Sequence, residues 1–179
     1  MTHLTGKKVA IIATDFFEEA ELLTPRDALR DSGAEVRVYS ADGQPIQAAE
    51  GDVNPTRKVE VDGTFEDVDV AAIDALVVPG GSVNADHIRM DATAQGIVRA
   101  VDEAGKPLAV VCHGPWLLIS AGRARGRRVT SWPSLADDLR NAGAEWTDEE
   151  VVVDGNLITS RKPDDLPAFN RELTTLLGG

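Results

Sequence analysis

The chain has 179 residues, 42% of them hydrophobic, and a single cysteine. That length suits one domain, residues 1–179, with room for a sizeable core, and the composition is globular. A formal charge of -12 repels phosphate backbones and anionic lipid, so neither nucleic acid nor a membrane is expected as a partner.

In chain order, "KVAIIA" (Lys8 to Ala13) reads as a buried strand. An acidic segment follows, "DFFEEAE" (Asp15 to Glu21). Thr24-Pro25 has the form of an N-cap with proline at the first helical position, and Gly33 stands where that helix stops. "EVRVYS" (Glu35 to Ser40) is a second strand. Residues 42–63 hold Asp42-Gly43, Gly51 and Asp62-Gly63 around short strand-like pieces, a small β-excursion. "DALVVPGG" (Asp74 to Gly81) is a buried strand ending in a glycine turn.

Apolar positions Ala94, Ile97, Val98 and Val101 give helical spacing between Asp91 and Ala104. "PLAVV" (Pro107 to Val111) is another buried strand, and Pro115 to Gly122 starts a helix. Ser134 to Ala142 is a short helix. Val151 to Thr159 is a hairpin around Asp154-Gly155. Leu166, Phe169, Leu173, Leu176 and Leu177 mark a C-terminal helix. Strand–helix alternation with fully apolar strands predicts a mostly parallel sheet covered on both faces.

One thiol cannot close an intrachain disulfide, which suits a reducing compartment, and no apolar run approaches the roughly 18 residues of a membrane span. "VAIIA" is too short for a signal-peptide core. These readings predict a cytoplasmic protein. The thiol, Cys112, follows a buried strand directly and precedes Gly114-Pro115 and a helix, the pattern of a nucleophile elbow. A helix N-terminus beneath it would favour the thiolate.

His113 is the best-placed imidazole among three histidines; His3 is terminal and His87 reads as surface. In the acidic segment, Glu19 and Glu21 suit a solvated helix start, yet one carboxyl against Phe16 and Phe17 could be desolvated and protonate a substrate. The pattern alone does not choose which. Gly80-Gly81 lies between the two signals, and its backbone N–H groups suit an oxyanion. One cysteine and scattered histidines lack metal-ligand spacing, so no metal and no cofactor are expected. The three tryptophans default to core or interface packing.

Together, "FEEAEL", "DALVVPGG", "GKPLAVVCHGPWLLISAG" and "TSWPSLADDLRNAGAEW" resemble the ThiJ/PfpI family, nearest its PfpI-type intracellular proteases and general stress proteins. The resemblance runs from about residue 7 to the C-terminus. It implies an α/β fold, a flavodoxin-like three-layer sandwich with a mostly parallel central sheet. It implies Cys112 as nucleophile, His113 as the histidine after it, and Glu18 as the glutamate that hydrogen-bonds the cysteine. Asp86 matches an acidic residue that reaches this histidine from a neighbouring subunit, with one extra residue in the loop before it. Gly81 and His113 would supply oxyanion N–H groups. A homodimer or a hexamer is implied.

Members of that family are described as proteases, glyoxalases, deglycases, chaperones and oxidative-stress sensors. Two enzymatic readings follow: a cysteine peptidase, or a stress-protective enzyme acting on 2-oxoaldehydes and their protein adducts. The second asks only for a thiolate and a carboxylic acid. Amide cleavage also needs protonation of a poor leaving group. A non-enzymatic sensor or chaperone acting through oxidation of Cys112 is the alternative. A glutamine amidotransferase domain is disfavoured, because no histidine follows His113 and Val110 stands where that class has glycine.

Overall fold

The computed structural model describes residues 3–178. The elements run β1 (Lys8–Ile12), β2 (Phe17–Glu18), α1 (Glu19–Asp31), β3 (Glu35–Ser40), β4 (Ile46–Glu50), β5 (Asn54–Val59), β6 (Gly63–Thr64) and β7 (Ala75–Val78). Then come α2 (Ser82–Ile88), α3 (Ala92–Glu103), β8 (Leu108–Val111), α4 (Pro115–Ser120), β9 (Arg128–Val129) and α5 (Ala136–Asn141). β10 (Glu145–Trp146), β11 (Val151–Asp154), β12 (Leu157–Ser160) and α6 (Leu166–Gly178) complete the chain.

The main sheet has seven strands in the order β11-β12-β8-β7-β1-β3-β6. Every pair is parallel except the β11–β12 hairpin at one edge. Side chains alternate between the faces of each strand. Ala75, Val77, Ala109 and Val111 join a core with Leu22, Leu29, Phe169 and Leu173 from α1 and α6. Leu76, Val78, Leu108 and Val110 join a second core with Ile97, Val101, Leu117 and Leu139 from α3, α4 and α5. Both faces are covered, so β7 and β8 at the middle of the sheet carry no polar side chain and are buried throughout. This is the expected three-layer α/β sandwich.

The α3 reading holds closely. Asp91 is the N-cap, its carboxylate accepting the Ala94 N–H at 2.8 Å, and Ala94, Ile97, Val98 and Val101 are the buried face. The start of α1 differs from expectation. The helix begins at Glu19, a full turn before Thr24-Pro25, and Pro25 sits buried inside it. Proline there removes the N–H that would have bonded the Glu21 carbonyl, but the buried contacts of Leu22, Pro25 and Leu29 outweigh that single lost bond. The earlier start proves decisive for the site.

The β-excursion forms a small sheet of its own, ordered β2-β4-β5, with β4 and β5 antiparallel. Its tip, Gly51 and Asp52, reaches back over the carboxyl ends of the main-sheet strands through bonds to Glu18 and Ser82.

Candidate active site

Sites in open parallel sheets form beyond the carboxyl ends of the strands. Here the loops after β1, β7, β8 and β12 meet there, and those four strands are neighbours in the sheet. Cys112 follows β8 and holds a left-handed backbone, φ +62°, which a non-glycine residue adopts only when its surroundings impose it. Its own backbone is gripped on both sides. The Cys112 N–H donates to the Ser160 carbonyl at 3.0 Å, and its carbonyl accepts the Trp132 N–H at 2.9 Å. The second bond explains the "TSWP" segment: it ties Trp132 to the elbow.

His113 reaches the sulfur. Its Nδ1 lies 3.3 Å from Cys112 Sγ. The ring is stacked on Trp132, with centroids 5.9 Å apart and planes at 26°, and tilts against Trp116 at 5.5 Å. Burial lowers the His113 pKa, and the Asp52 charge works against that shift. A neutral imidazole at neutral pH is free to take the thiol proton.

The carboxyl beside the cysteine is Glu21 and not Glu18, which corrects the expected assignment. Glu21 is fully buried on the inner face of α1, in line with Leu22, Pro25 and Leu29. Its Oε2 accepts the Gly80 N–H at 2.8 Å, and its Oε1 is sealed from solvent with no nitrogen or oxygen partner. Desolvation raises its pKa from 4.5 to about 8, although the Gly80 N–H and the contact with Cys112 pull the other way. At neutral pH this carboxyl is protonated for most of the time, so it can donate to the sulfur.

Glu18 has another task. Its two oxygens accept the N–H groups of Gly51 and Asp52 at 3.3 and 3.2 Å, clamping the β4–β5 tip. Glu18 is the residue before α1, whereas Glu21 lies in its first turn. The three-residue offset decides which carboxyl enters the core. A correct helix start would have shown this, because Glu21 shares the 3.6-residue stripe of Leu22, Pro25 and Leu29.

The thiol departs from expectation too. Burial pushes its pKa up, and so do the charge and hydrogen bonding of Glu21 when that carboxyl is ionised; the Gly81 N–H opposes them. The following helix, α4, is only six residues long, and its end dipole does not overcome desolvation. The pair Glu21–Cys112 therefore carries at most one negative charge at neutral pH.

Gly80 makes this arrangement possible. A Cβ there would lie 2.5 Å from Glu21 Oε2, 2.6 Å from Cys112 Cβ and 2.9 Å from the His113 nitrogen. Gly81 (φ +85°) presses against Phe16, Phe17 and Glu18 and turns its N–H toward the sulfur. The hydrogen bonds among the described residues include none donated by the His113 N–H, so that group too remains available for an oxyanion. Both expected oxyanion donors therefore sit at the elbow.

A cleft of about 220 Å³ opens onto this centre, lined by Glu18, Glu21, Gly51, Asp52, Cys112, His113, Trp132 and Pro163. Pro163 is fixed by the bidentate Arg161–Asp165 pair beside it, at 2.9 and 3.0 Å. Trp132 is 39% exposed at the rim, so it does not belong to the core. Asp52 was not anticipated; its only sequence signal was the turn at Gly51. Asp86 and His87 are exposed on α2, and neither lines the cleft. Among the described residues, no group of acidic, histidine or cysteine side chains could hold a metal ion.

An α/β sandwich with a cysteine–histidine elbow and a buried glutamate under the sulfur defines a class of thiol-centred proteins. The chain belongs to the DJ-1/PfpI family, whose pattern matches residues 7–176. It is 44% identical over 170 residues to Deglycase PH1704 of Pyrococcus horikoshii, covering 95% of this chain and 99% of that one. It is 43% identical over 175 residues to Protein/nucleic acid deglycase 2 of Escherichia coli, covering 97% and 99% of the two chains. The fold superposes on Drosophila melanogaster DJ-1beta with a TM-score of 0.87 at 28% identity, covering 98% of this chain and 92% of that one. No helix among the described residues is long and apolar enough to cross a membrane.

Proposed function

We propose that this protein is a stress-protective, cysteine-dependent enzyme that attacks reactive carbonyls, namely 2-oxoaldehydes and the adducts they form on proteins. The observation that carries the reading is the buried, protonated Glu21 beside a thiol whose sulfur lies 3.3 Å from His113 Nδ1, a proton acceptor in the tautomer protonated at Nε2. The relatives named deglycases support it, and so does the cleft. At about 220 Å³ it falls below the roughly 300–1,000 Å³ of sites for drug-sized ligands, which suits a short aldehyde or one modified side chain better than an extended peptide.

The chemistry runs in balanced steps. The Cys112 proton passes to His113 Nδ1 as the sulfur adds to the aldehyde carbon. The carbonyl π-electrons move to oxygen, which the Gly81 and His113 N–H groups face, and the imidazolium returns the proton to give a hemithioacetal. Glu21, in its ionised form, then takes the proton from the carbon that bears the sulfur and delivers it to the adjacent carbonyl carbon while the hydroxyl proton passes to the second oxygen, converting the hydroxy-ketone into a 2-hydroxy thioester with no external oxidant. Water cleaves the thioester, releasing a 2-hydroxy acid and restoring the thiol. With a protein adduct, the sulfur takes the place of the amine or guanidine, which leaves with the proton that Cys112 gave to His113.

Peptide hydrolysis uses the same nucleophile but asks the same imidazolium to protonate the nitrogen of a resonance-stabilised amide, a poorer leaving group than the amine of an aldehyde adduct. Oxidation of Cys112 to a sulfinate is a second reading. It is favoured by the Glu21 Oε1, which has no nitrogen or oxygen partner and could donate to a sulfinate oxygen when protonated. Methylglyoxal turnover in wild type, Cys112→Ser and Glu21→Gln tests the main reading. The serine variant should be inactive and the glutamine variant slowed about 10²- to 10⁴-fold. Turnover that survives both substitutions would sink it.

A further inference from the structure

The catalytic histidine has no carboxylate of its own in the expected scheme except Asp86, supplied across an interface. Asp86 does not line the cleft of its own chain. Another acid does. Asp52 sits at the tip of the β4–β5 hairpin, in the wall of the cleft that holds His113 and Cys112.

Three independent features fix Asp52 there. Its backbone N–H is held by Glu18 Oε2 at 3.2 Å, next to the Gly51 N–H on Oε1. Its own Oδ1 accepts the Ser82 N–H at 2.7 Å, which locks the side-chain rotamer and leaves Oδ2 uncommitted. Its backbone is left-handed, φ +69°. Among the described residues only three non-glycines have that conformation, Phe16, Asp52 and Cys112. All belong to the segments that build this cleft. Strain of that kind persists only where the surroundings over-determine it, and it gathers at functional sites.

We propose that Asp52 is a positioning acid of this site: its pinned carboxylate shares the cleft with the His113 ring within the same chain and stabilises the imidazolium formed when the Cys112 proton moves to Nδ1. The inference rests on the carbonyl-addition reading only for its kinetic arm. The step moves one proton and leaves one sulfur anion and one ring cation, so charge is conserved. A fixed anion across a narrow cleft favours the cation and disfavours further negative charge. Asp52 raises the His113 pKa and acts upward on Glu21 and Cys112 as well, in keeping with that placement. The other groups around the ring are the Cys112 sulfur, the Glu21 and Glu18 carboxyls in the cleft, and the rings of Trp116 and Trp132, with the Arg89 guanidinium 5.4 Å from the Trp116 ring centroid. None of these is an unclamped carboxylate: Glu18 is spent on the hairpin and Glu21 is protonated.

The test is a histidine titration by nuclear magnetic resonance. The chain has three histidines, so the His113 ring is readily assigned. Asp52→Asn keeps an acceptor for the Ser82 N–H and removes only the charge. The His113 transition should move to lower pH, and kcat for methylglyoxal should fall about tenfold, with KM within about twofold. Asp86→Asn should leave the transition in place. An unmoved ring in Asp52→Asn overturns the inference, above all if Asp86→Asn moves it. Should Asp52→Asn fail to fold, Asp52→Ser offers a hydroxyl to the same N–H and carries the same readouts. Joint titration of the Asp52 carboxyl carbon and the His113 ring in labelled wild type reads the coupling without any mutation; independent titrations there overturn it too. If wild type turns over no carbonyl substrate, the enzymatic reading fails while the ring titration still decides the role of Asp52.

Discussion

Glu21→Gln isolates the most unusual energetic feature of the molecule. The glutamine amide is nearly isosteric: its oxygen can accept the Gly80 N–H and its NH₂ can donate to the sulfur. In wild type the carboxyl titrates at 4.5 when unfolded and at about 8 when folded. The folded state thus binds more protons than the unfolded state throughout that window, so unfolding free energy falls as pH rises through it. Below pH 4.5 the group costs nothing; above pH 8 the full penalty is present. At about 1.4 kcal/mol per pH unit, the rise is worth up to about 5 kcal/mol, an upper bound because buried sites relax and admit water.

Urea unfolding of both proteins at several pH values between 4 and 8.5 gives the measurement. Many other carboxylates titrate in the acid range, but they are common to both proteins and cancel in the difference. The variant should match wild type near pH 4 and gain on it steadily, to a few kcal/mol more stable by pH 8. A difference that stays flat across this range would falsify the claim that Glu21 is held protonated, and with it the donor proposed for the sulfur.

Gly80→Ala should cost about 1–3 kcal/mol and abolish turnover, because its methyl would lie 2.5 Å from Glu21 Oε2 and 2.6 Å from Cys112 Cβ. Thermal melts and the methylglyoxal assay measure the two effects, and an active, equally stable variant would show that the contact is not tight. Trp132→Ala removes the ring stacked on His113 at the rim of the cleft. Its partial exposure limits the stability loss to about 1–2 kcal/mol, while KM for methylglyoxal should rise with kcat kept within about threefold. An unchanged KM would remove Trp132 from the substrate's path.

The sandwich was legible because its signals are local. Apolar runs of four and five residues, ended by Gly80-Gly81 and by Cys112, place the buried strands β7 and β8, and "EVRVYS" after Gly33 places β3, without knowledge of their partners. The 91–104 periodicity located α3 and its buried face. The elbow was legible as well, since a strand running straight into Cys112-His113-Gly114-Pro115 has few other ways to turn.

What the chain did not disclose is which polar groups meet. The choice of Glu21 over Glu18 turns on a helix start that the Thr24-Pro25 pair disguised, and on packing against β7 and β8, which lie more than 50 residues away. Asp52 enters the cleft because a hairpin folds back over the sheet, and no local pattern encodes that return. The thiol's acidity depends on the balance between a six-residue helix and full desolvation. Secondary structure and its apolar faces follow from short-range periodicity, so the sequence determined them. Proton affinities depend on long-range burial and on charges brought together in space, and only the tertiary structure decided those.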